Sequence, residues 1–356
     1  YEEAWVNDGR LGTPSLPGGI SLADARNTNT DWVKEVIGTG YQQNYDLGIS
    51  KGGEKYNIYG GISRQNDQSY MKGNAYQRTA GRLNGDLRFA KWGKASISSS
   101  LSEGVNKRQG MGWSGGFGAA MSTALPIYPI YYDKDVYNDD GVLIHKKGDY
   151  FLPSNDIGRN PVAMRELRDW ETTERRTINS LALEFNPIKD LYINTTTSID
   201  YMFWEEDQYQ KPGYDANNPT FGKAYRNSFD VANYNMNAVV SYLKKIKENH
   251  SISVMVGTEY QNSDTRKFAG SKNEQTATGF LSPDDPNGIL SGTKTTESWN
   301  FVSQFGRVRY DFKKKIFTEV VGRRDGSSKF GKNNKYGFFP SASIGYNISE
   351  EKFLKE

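Results

Sequence analysis

The chain has 356 residues and no cysteine, its mean hydropathy is −0.75, and its formal net charge is +3. It contains no run of about 18 apolar residues, which excludes a helical membrane protein. The near-neutral charge gives no reason to expect nucleic acid as a partner, and the lack of cysteine excludes disulfides and thiolate metal sites. A membrane β-barrel remains open, because only every second strand residue meets lipid there.

The first part of the chain predicts a loop followed by a hairpin. Residues 1 to 41 are irregular and rich in glycine and proline, with one helical turn expected over Ser21 to Arg26. Strands are expected over Gln42–Ser50 and Lys55–Gln65, joined at Gly52-Gly53. Two glycines at so short a connection are typical of a tight turn with positive φ.

Tyr76–Ala90 carries the clearest strand pattern. Glycine and large apolar residues occupy one face and charged or polar residues occupy the other, and both sets alternate strictly. A face this charged would be unusual toward a protein core and is normal toward a water-filled lumen. A short turn at Lys91–Gly93 then leads to a strand over Lys94–Ser102.

The rest of the chain repeats an alternation of short turns and long loops. Two further hairpins and a final group of three strands are expected at Arg176–Phe185 with Leu191–Tyr201, Val231–Leu243 with Ser251–Tyr260, and within Trp299–Ile348. Long loops are expected at Glu103–Glu174, Phe203–Phe229 and Gln261–Glu297.

This alternation is typical of outer-membrane barrels, which have short periplasmic turns and long outer loops. It predicts an all-β, transmembrane, antiparallel up-and-down β-barrel with about eleven strands over residues 42–349 and an extracellular loop over residues 1–41. Because an odd number of strands does not close a bacterial single-chain barrel, we expect a fragment.

Several segments resemble SusC/RagA-type TonB-dependent outer-membrane transporters. They are Asn29–Trp32, Arg323–Gly331, Asn333–Ser341 and Ile348–Glu351. The resemblance implies about half of a 22-stranded barrel around a plugged lumen, in the outer membrane of a Gram-negative bacterium. The family's plug domain has no counterpart in these residues.

The same resemblance implies energised import of oligosaccharides or peptides. A SusD-like lipoprotein would cover the outer loops, and the TonB complex would act on the plug. Two alternatives remain open: a passive porin, and a non-transport surface β protein such as an adhesin.

Candidate contacts with the plug or lumen are the charges on the inward-facing side of the strands: Arg82, Asp86, Arg307, Arg309 and Arg323. Candidate substrate-binding residues are the loop aromatics, since sugars and peptides dock on exposed rings. They are Trp113, Tyr128, Tyr131, Tyr132, Trp204, Tyr209 and Tyr214. Packing of the loops on themselves is the alternative for each of these rings.

No enzyme activity, cofactor or protein-bound metal is expected. Gly112–Gly116 matches G-x-S-x-G but lacks the helix signal of a nucleophile elbow, and the only histidines are His145 and His250. His145 is expected to be a solvated loop residue. The acidic stretch Asp133–Gly141 could hold a loop-bound Ca²⁺, but its spacing differs from an EF-hand and ordinary polar turns are commoner.

Overall fold

The computed structural model describes residues 20–110, 118, 122–138, 140–152, 160–214, 221–275 and 289–351. Its three named helices are α1 (Leu22–Asn27), α2 (Trp32–Val36) and α3 (Pro161–Glu166). No helix within the described ranges is long and apolar enough to cross a membrane.

Eleven strands form one antiparallel sheet, and two short strands form a separate hairpin. The sheet contains β1 (Tyr41–Gly52), β2 (Tyr56–Gln68), β3 (Ala75–Ala90), β4 (Gly93–Lys107), β7 (Arg168–Phe185), β8 (Leu191–Gln210), β9 (Gly222–Ile246), β10 (His250–Gln275), β11 (Ile289–Phe312), β12 (Ile316–Ser327) and β13 (Tyr336–Tyr346). The separate hairpin consists of β5 (Val136–Tyr137) and β6 (Leu143–His145).

Each strand of the sheet pairs with the next sheet strand along the chain. All five short turns therefore lie on one rim and all the longer connections on the other, which confirms the predicted up-and-down topology. Three of the five turns contain left-handed backbone: Asp190, Lys247, Lys313 and Lys314 have φ between 53° and 69°. These left-handed values suit tight hairpin turns, and they are the only non-glycine ones in the described ranges. The positive φ expected at Gly52-Gly53 is not present.

The ladder register separates the side chains into an outer and an inner face, because residues directly opposed across strands point to the same side. On the outer face, Val254, Val308, Val320 and Ala342 form one row across four strands. The large apolar residues of the alternating pattern in β3 and β4 share this face and are 46–61% exposed: Leu83, Leu87, Ile97 and Leu101. Ile348, expected at the end of the last strand, lies instead in a 3₁₀ turn over Ile348–Glu350.

The inner face is polar along its whole width. One row crosses eight strands and contains a single apolar residue: Asp86, Ser96, Ala182, Thr196, Asn237, Glu259, Ser303 and Asp325. An apolar outer face and a polar inner face are what a lipid-embedded wall around a water-filled lumen requires.

The middle strands are longer than the sequence pattern predicts. Most of Phe203–Phe229 and Gln261–Glu297, predicted as loops, belongs to β8 to β11. Beyond the apolar band both faces of a strand meet water, so the apolar alternation stops although the backbone pairing continues. The ladder is reinforced there by directly opposed ion pairs, such as Arg226 with Asp207, whose two N–O distances are both 2.6 Å.

Residues 20–37 fold together with the β2–β3 connection and with the described parts of the β4–β7 connection on the outer rim. We call residues 20–37, 69–74, 122–138, 140–152 and 160–167 the outer-loop unit. Its buried core contains Ile20, Ala25, Trp32, Tyr128, Phe151 and Val162. The predicted helical turn is present as α1, with the Ser21 side chain accepting the Asp24 amide.

Hydrogen bonds tie the distant segments of the outer-loop unit together. Trp32 Nε1 donates to the Leu125 carbonyl oxygen at 2.9 Å, and Thr30 Oγ1 donates to the Tyr128 carbonyl oxygen at 2.7 Å. The Asn160 side-chain amide donates to two carbonyl oxygens, and its own oxygen caps α3. The described parts of the segment between β4 and β7 thus fold together and pack on residues 20–36.

Candidate functional site

The five predicted plug-contact or lumen-contact residues all lie on the inner face, but their surroundings differ. Asp86 accepts from Ser96 Oγ at 2.6 Å and lies 3.2 Å from Lys94 Nζ. Arg323 bonds Asp325 at 2.8 Å and the Ser303 hydroxyl at 2.8 Å. These two positions are therefore held by neighbours within the sheet.

The other three have fewer charged neighbours. Arg307 lies 4.0 Å from Glu319, Arg309 lies over the Phe317 ring at 5.6 Å, and Arg82 makes no ion pair with any described residue. Because few carboxylates within the sheet neutralise these guanidinium groups, they are suited to contact another polar surface. That they contact a plug stays a prediction.

A second group of inner-face side chains lies at the outer end of the strands. We call Arg108, Arg168, Trp170, Glu206 and Tyr214 the mouth cluster. Trp170 precedes the short-turn end of β7, Phe185, by fifteen residues, which is about 50 Å along a strand. The cluster therefore stands well beyond an apolar band of about 25 Å, on the rim of the long loops.

The cluster is built around the Trp170 ring. The Arg108 and Arg168 guanidinium carbons lie 4.2 Å and 4.5 Å from its centre, within cation–π distance. Arg108 also forms an ion pair with Glu206. Arg168 bonds the Gln208 side-chain oxygen at 2.9 Å and lies 3.5 Å from the Tyr214 hydroxyl. Burial, followed by the neighbouring positive charge of Arg168, lowers the pKa of Arg108.

Two of the predicted substrate-binding aromatics lie at this outer end of the strands. Tyr214 belongs to the mouth cluster. Trp204 is in strand β8 instead of a loop, where it stacks on Phe229 with ring centres 5.1 Å apart. Trp204 and Phe229 meet because they are directly opposed in the β8–β9 ladder.

The remaining predicted aromatics are in other surroundings. Tyr131 is 45% exposed and lies beside Tyr150, and Tyr132 stacks on His145 with ring centres 4.5 Å apart. Tyr128 and Tyr209 are only 1% and 2% exposed, so neither offers a ring face to a ligand. Tyr128 therefore follows the alternative expectation, in which the loops pack on themselves. Trp113 lies outside the described residues.

Comparisons with known proteins identify the fold to which this geometry belongs. No protein-family model matches the chain. It is 25% identical to the TonB-dependent receptor SusC of Bacteroides thetaiotaomicron over 351 residues, which cover 94% of this chain and 34% of SusC. It is 30% identical to TonB-dependent receptor P3 of Formosa agariphila over 350 residues, covering 92% of this chain and 32% of that receptor.

A solved structure agrees with these relatives. The RagAB peptide transporter superposes with a TM-score of 0.72 at 20% identity, covering 93% of this chain and 36% of that one. The resemblance to SusC/RagA-type TonB-dependent receptors is confirmed. The open eleven-stranded sheet matches a portion of such an outer-membrane barrel, and the chain spans about a third of the length of the curated relatives it matches.

This SusC-like chain carries functional candidates that the sequence pattern missed. The predicted strand started at Arg176, whereas β7 starts at Arg168. Stepping back from Arg176 by two residues at a time passes through Thr172 and Trp170 to Arg168, so the same alternation would have placed them on the inner face.

The other motifs of this SusC-like chain have plain structural surroundings where they are described. Gly112–Gly116 lies outside the described residues. Asn138 accepts the amides of Asp140 and Val142, and Asp135 accepts the amide of Lys147, which is turn chemistry. Within the described ranges no group of three acidic or histidine side chains could hold a metal ion. His145, expected to be solvated, is half-buried because it stacks on Tyr132.

Proposed function

We propose that this chain forms part of the barrel wall of a SusC-like active transporter that imports oligosaccharides or peptides across the outer membrane. The observation that carries the proposal is similarity to TonB-dependent receptors over more than nine-tenths of the chain. The polar inner face supports it, because solutes passing along the lumen would meet side chains that can hydrogen-bond them.

The energy source separates this proposal from a passive porin. Import energised by TonB needs an intact proton-motive force, whereas diffusion through a porin does not. Uptake of fluorescent oligosaccharides and peptides should therefore stop when TonB is deleted or a protonophore is added. Unchanged uptake under both treatments would favour the porin.

We also propose that the outer-loop unit carries part of the contact with a SusD-like lipoprotein. The hairpin of β5 and β6 exposes Tyr137, Val142 and Ile144 by 51–58%, although they are adjacent and apolar. Exposed apolar patches of this kind are typical of interaction surfaces. The RagAB peptide importer, which shares this fold, was solved in an open-open and a closed-closed state.

Co-purification tests the lid contact. Changing Tyr137, Val142 and Ile144 together to serine should reduce recovery of the lipoprotein with the tagged transporter. Phe330→Ser is the matched control, because Phe330 is 63% exposed between β12 and β13 on the same rim but away from the outer-loop unit. Equal recovery from both variants would contradict this assignment of the contact.

A further inference from the structure

The mouth cluster has more positive charge than its neighbours neutralise. Arg108 is paired with Glu206, but no carboxylate in the described ranges lies within salt-bridge distance of Arg168. The other acids beside it are already paired: Glu166 with Arg165 at 2.8 Å, Asp169 with Lys211 at 3.2 Å and Glu171 with Lys107 at 3.7 Å. Among the described residues of this region, Arg168 is therefore the cation that has only neutral partners.

The cluster also contains polar hydrogens without acceptors. Arg108 Nε, Arg168 Nε and Trp170 Nε1 are buried and make no hydrogen bond in the described structure. The same holds for the hydroxyl of Thr172, a residue only 8% exposed. Buried donors without acceptors cost free energy, which a ligand rich in acceptor oxygens would recover.

Space for such a ligand lies directly beside these donors. A cavity of about 410 Å³ is lined by Arg168 and Trp170 and by charged neighbours whose three carboxylates are all ion-paired. The other lining residues are Gly73, Lys107, Gln109, Arg165, Glu166, Asp169 and Glu171. A Cβ built on nearby Gly110 would come within 2.8 Å of Arg168 Nη1, so the backbone approaches the guanidinium closely on that side. The guanidinium is thus confined in position and still borders open space.

Two guanidinium groups lie over the Trp170 ring, so this ring is already occupied by cation–π contacts and we do not assign it as a stacking platform for a sugar. What the site offers is two fixed positive charges and an indole N–H. Charge-assisted bonds from guanidinium groups are strongest to planar or tetrahedral oxyanions.

We propose that the mouth cluster binds an acidic substituent, a carboxylate or a sulfate, on the chain that the transporter imports. This rests on the proposed import function, of which it names a substrate class. The substituent accepts hydrogen bonds from Arg168 and from the Trp170 indole N–H, and it relieves the repulsion between Arg108 and Arg168. The neighbouring stack of Trp204 and Phe229 lies on the same inner face, further along toward the lumen.

Direct binding to the purified, detergent-solubilised protein tests the proposal without requiring transport. The probes are three matched pairs: tetragalacturonate and its carboxyl-reduced form, a sulfated galactan tetrasaccharide and its desulfated form, and penta-aspartate and penta-asparagine. At least one acidic probe should bind more tightly than its neutral twin, and the pair that responds identifies the source of the anion. Added salt should weaken that preference.

Two variants and one control locate the effect. Arg168→Gln should weaken binding of the acidic probe about 10- to 100-fold, as expected for the loss of a charge-assisted bond, and should leave the neutral twin unaffected. Trp170→Phe, which keeps a ring and removes the N–H, should have a smaller effect in the same direction. Arg175→Gln should bind like the wild type, because Arg175 lies on the outer face of the same strand, bonded to Glu103 at 2.5 Å.

The outcomes separate this proposal from the transport proposal. If no acidic probe binds better than its twin, or if Arg168→Gln binds like Arg175→Gln, the anion site is wrong even where uptake depends on TonB. If the acidic preference is present and depends on Arg168 but uptake is independent of TonB, the anion site stands and the transport proposal fails. Retention of the heat-modifiable folded band confirms that each variant is folded.

Discussion

Adjacent residues on β4 give the sharpest test of which face meets lipid. Ile97 lies on the outer face and is 47% exposed, and Ser98 lies on the inner face. The ten steps from Gly93 to Glu103 climb about 25 Å at a strand tilt of about 40°, which is the height of the apolar band. Ile97, four steps in, is therefore near the midplane.

Arginine at these two positions should have unequal costs. Ile97→Arg places a charge in lipid near the midplane and should cost about 2–4 kcal/mol. It also removes a side chain that lies over Gly85, where a Cβ would be 3.3 Å from Ile97 Cγ1. Ser98→Arg loses only the hydroxyl bond to Asn84 Oδ1, 2.8 Å long, at about 0.5–1.5 kcal/mol, and places the new charge on a wet, polar face.

Urea titration of the full-length protein in lipid vesicles, followed by its heat-modifiable mobility, measures both changes. Ile97→Val is the control, because it keeps an apolar side chain toward lipid and should cost about 0.5–1.5 kcal/mol at most. Equal losses of stability for Ile97→Arg and Ser98→Arg would show that Ile97 does not face lipid. The assignment of the whole outer face would then fail, since the register carries it from strand to strand.

Two further substitutions test the packing at each level of the sheet. Trp32→Ala removes a side chain that is 4% exposed and its bond to the Leu125 carbonyl oxygen, so the outer-loop unit should lose about 3–5 kcal/mol. Surface proteolysis of intact cells should accelerate while the barrel's heat-modifiable band is unchanged; unchanged proteolysis would contradict the packing. Gly257→Ala places a Cβ 2.5 Å from the Phe305 ring and should lower the free energy of unfolding by about 1 kcal/mol, seen as a lower melting temperature. Gly331→Ala, with nothing within 4 Å of its Cβ, should leave the thermal stability unchanged, and equal effects would refute the close contact at Gly257.

The features that the sequence predicts well are those that lipid imposes. Between the short turns and the upper edge of the apolar band, every second side chain must be apolar. That requirement makes Leu83, Leu87, Ile97 and Leu101 readable as one face. The two-rim arrangement follows from the same pattern, because short turns leave antiparallel neighbours as the only arrangement.

The features that the sequence does not predict lie where that requirement ends. Trp170 and Trp204 sit on strand extensions with water on both sides, so no apolar period marks them as strand residues. The core of the outer-loop unit joins Thr30 to Tyr128, which are 98 residues apart, and local periodicity contains no information about such a contact. The mouth cluster combines both difficulties, since Arg108 and Arg168 come from the two ends of one long insertion.

Those two ends meet. The Arg108 amide donates to the Trp170 carbonyl oxygen at 3.0 Å, so the excursion between β4 and β7 leaves and rejoins the wall at a single ladder position. Because the two ends of the insertion are hydrogen-bonded to each other, its length can change without altering the register between β4 and β7. A longer loop adds little to the entropy cost of closing it. An exchange of outer segments between related transporters at this junction would have to include residues 20–37, because the segments pack on them. Arg108 and Arg168 would remain in the recipient wall at the base of the exchanged entrance.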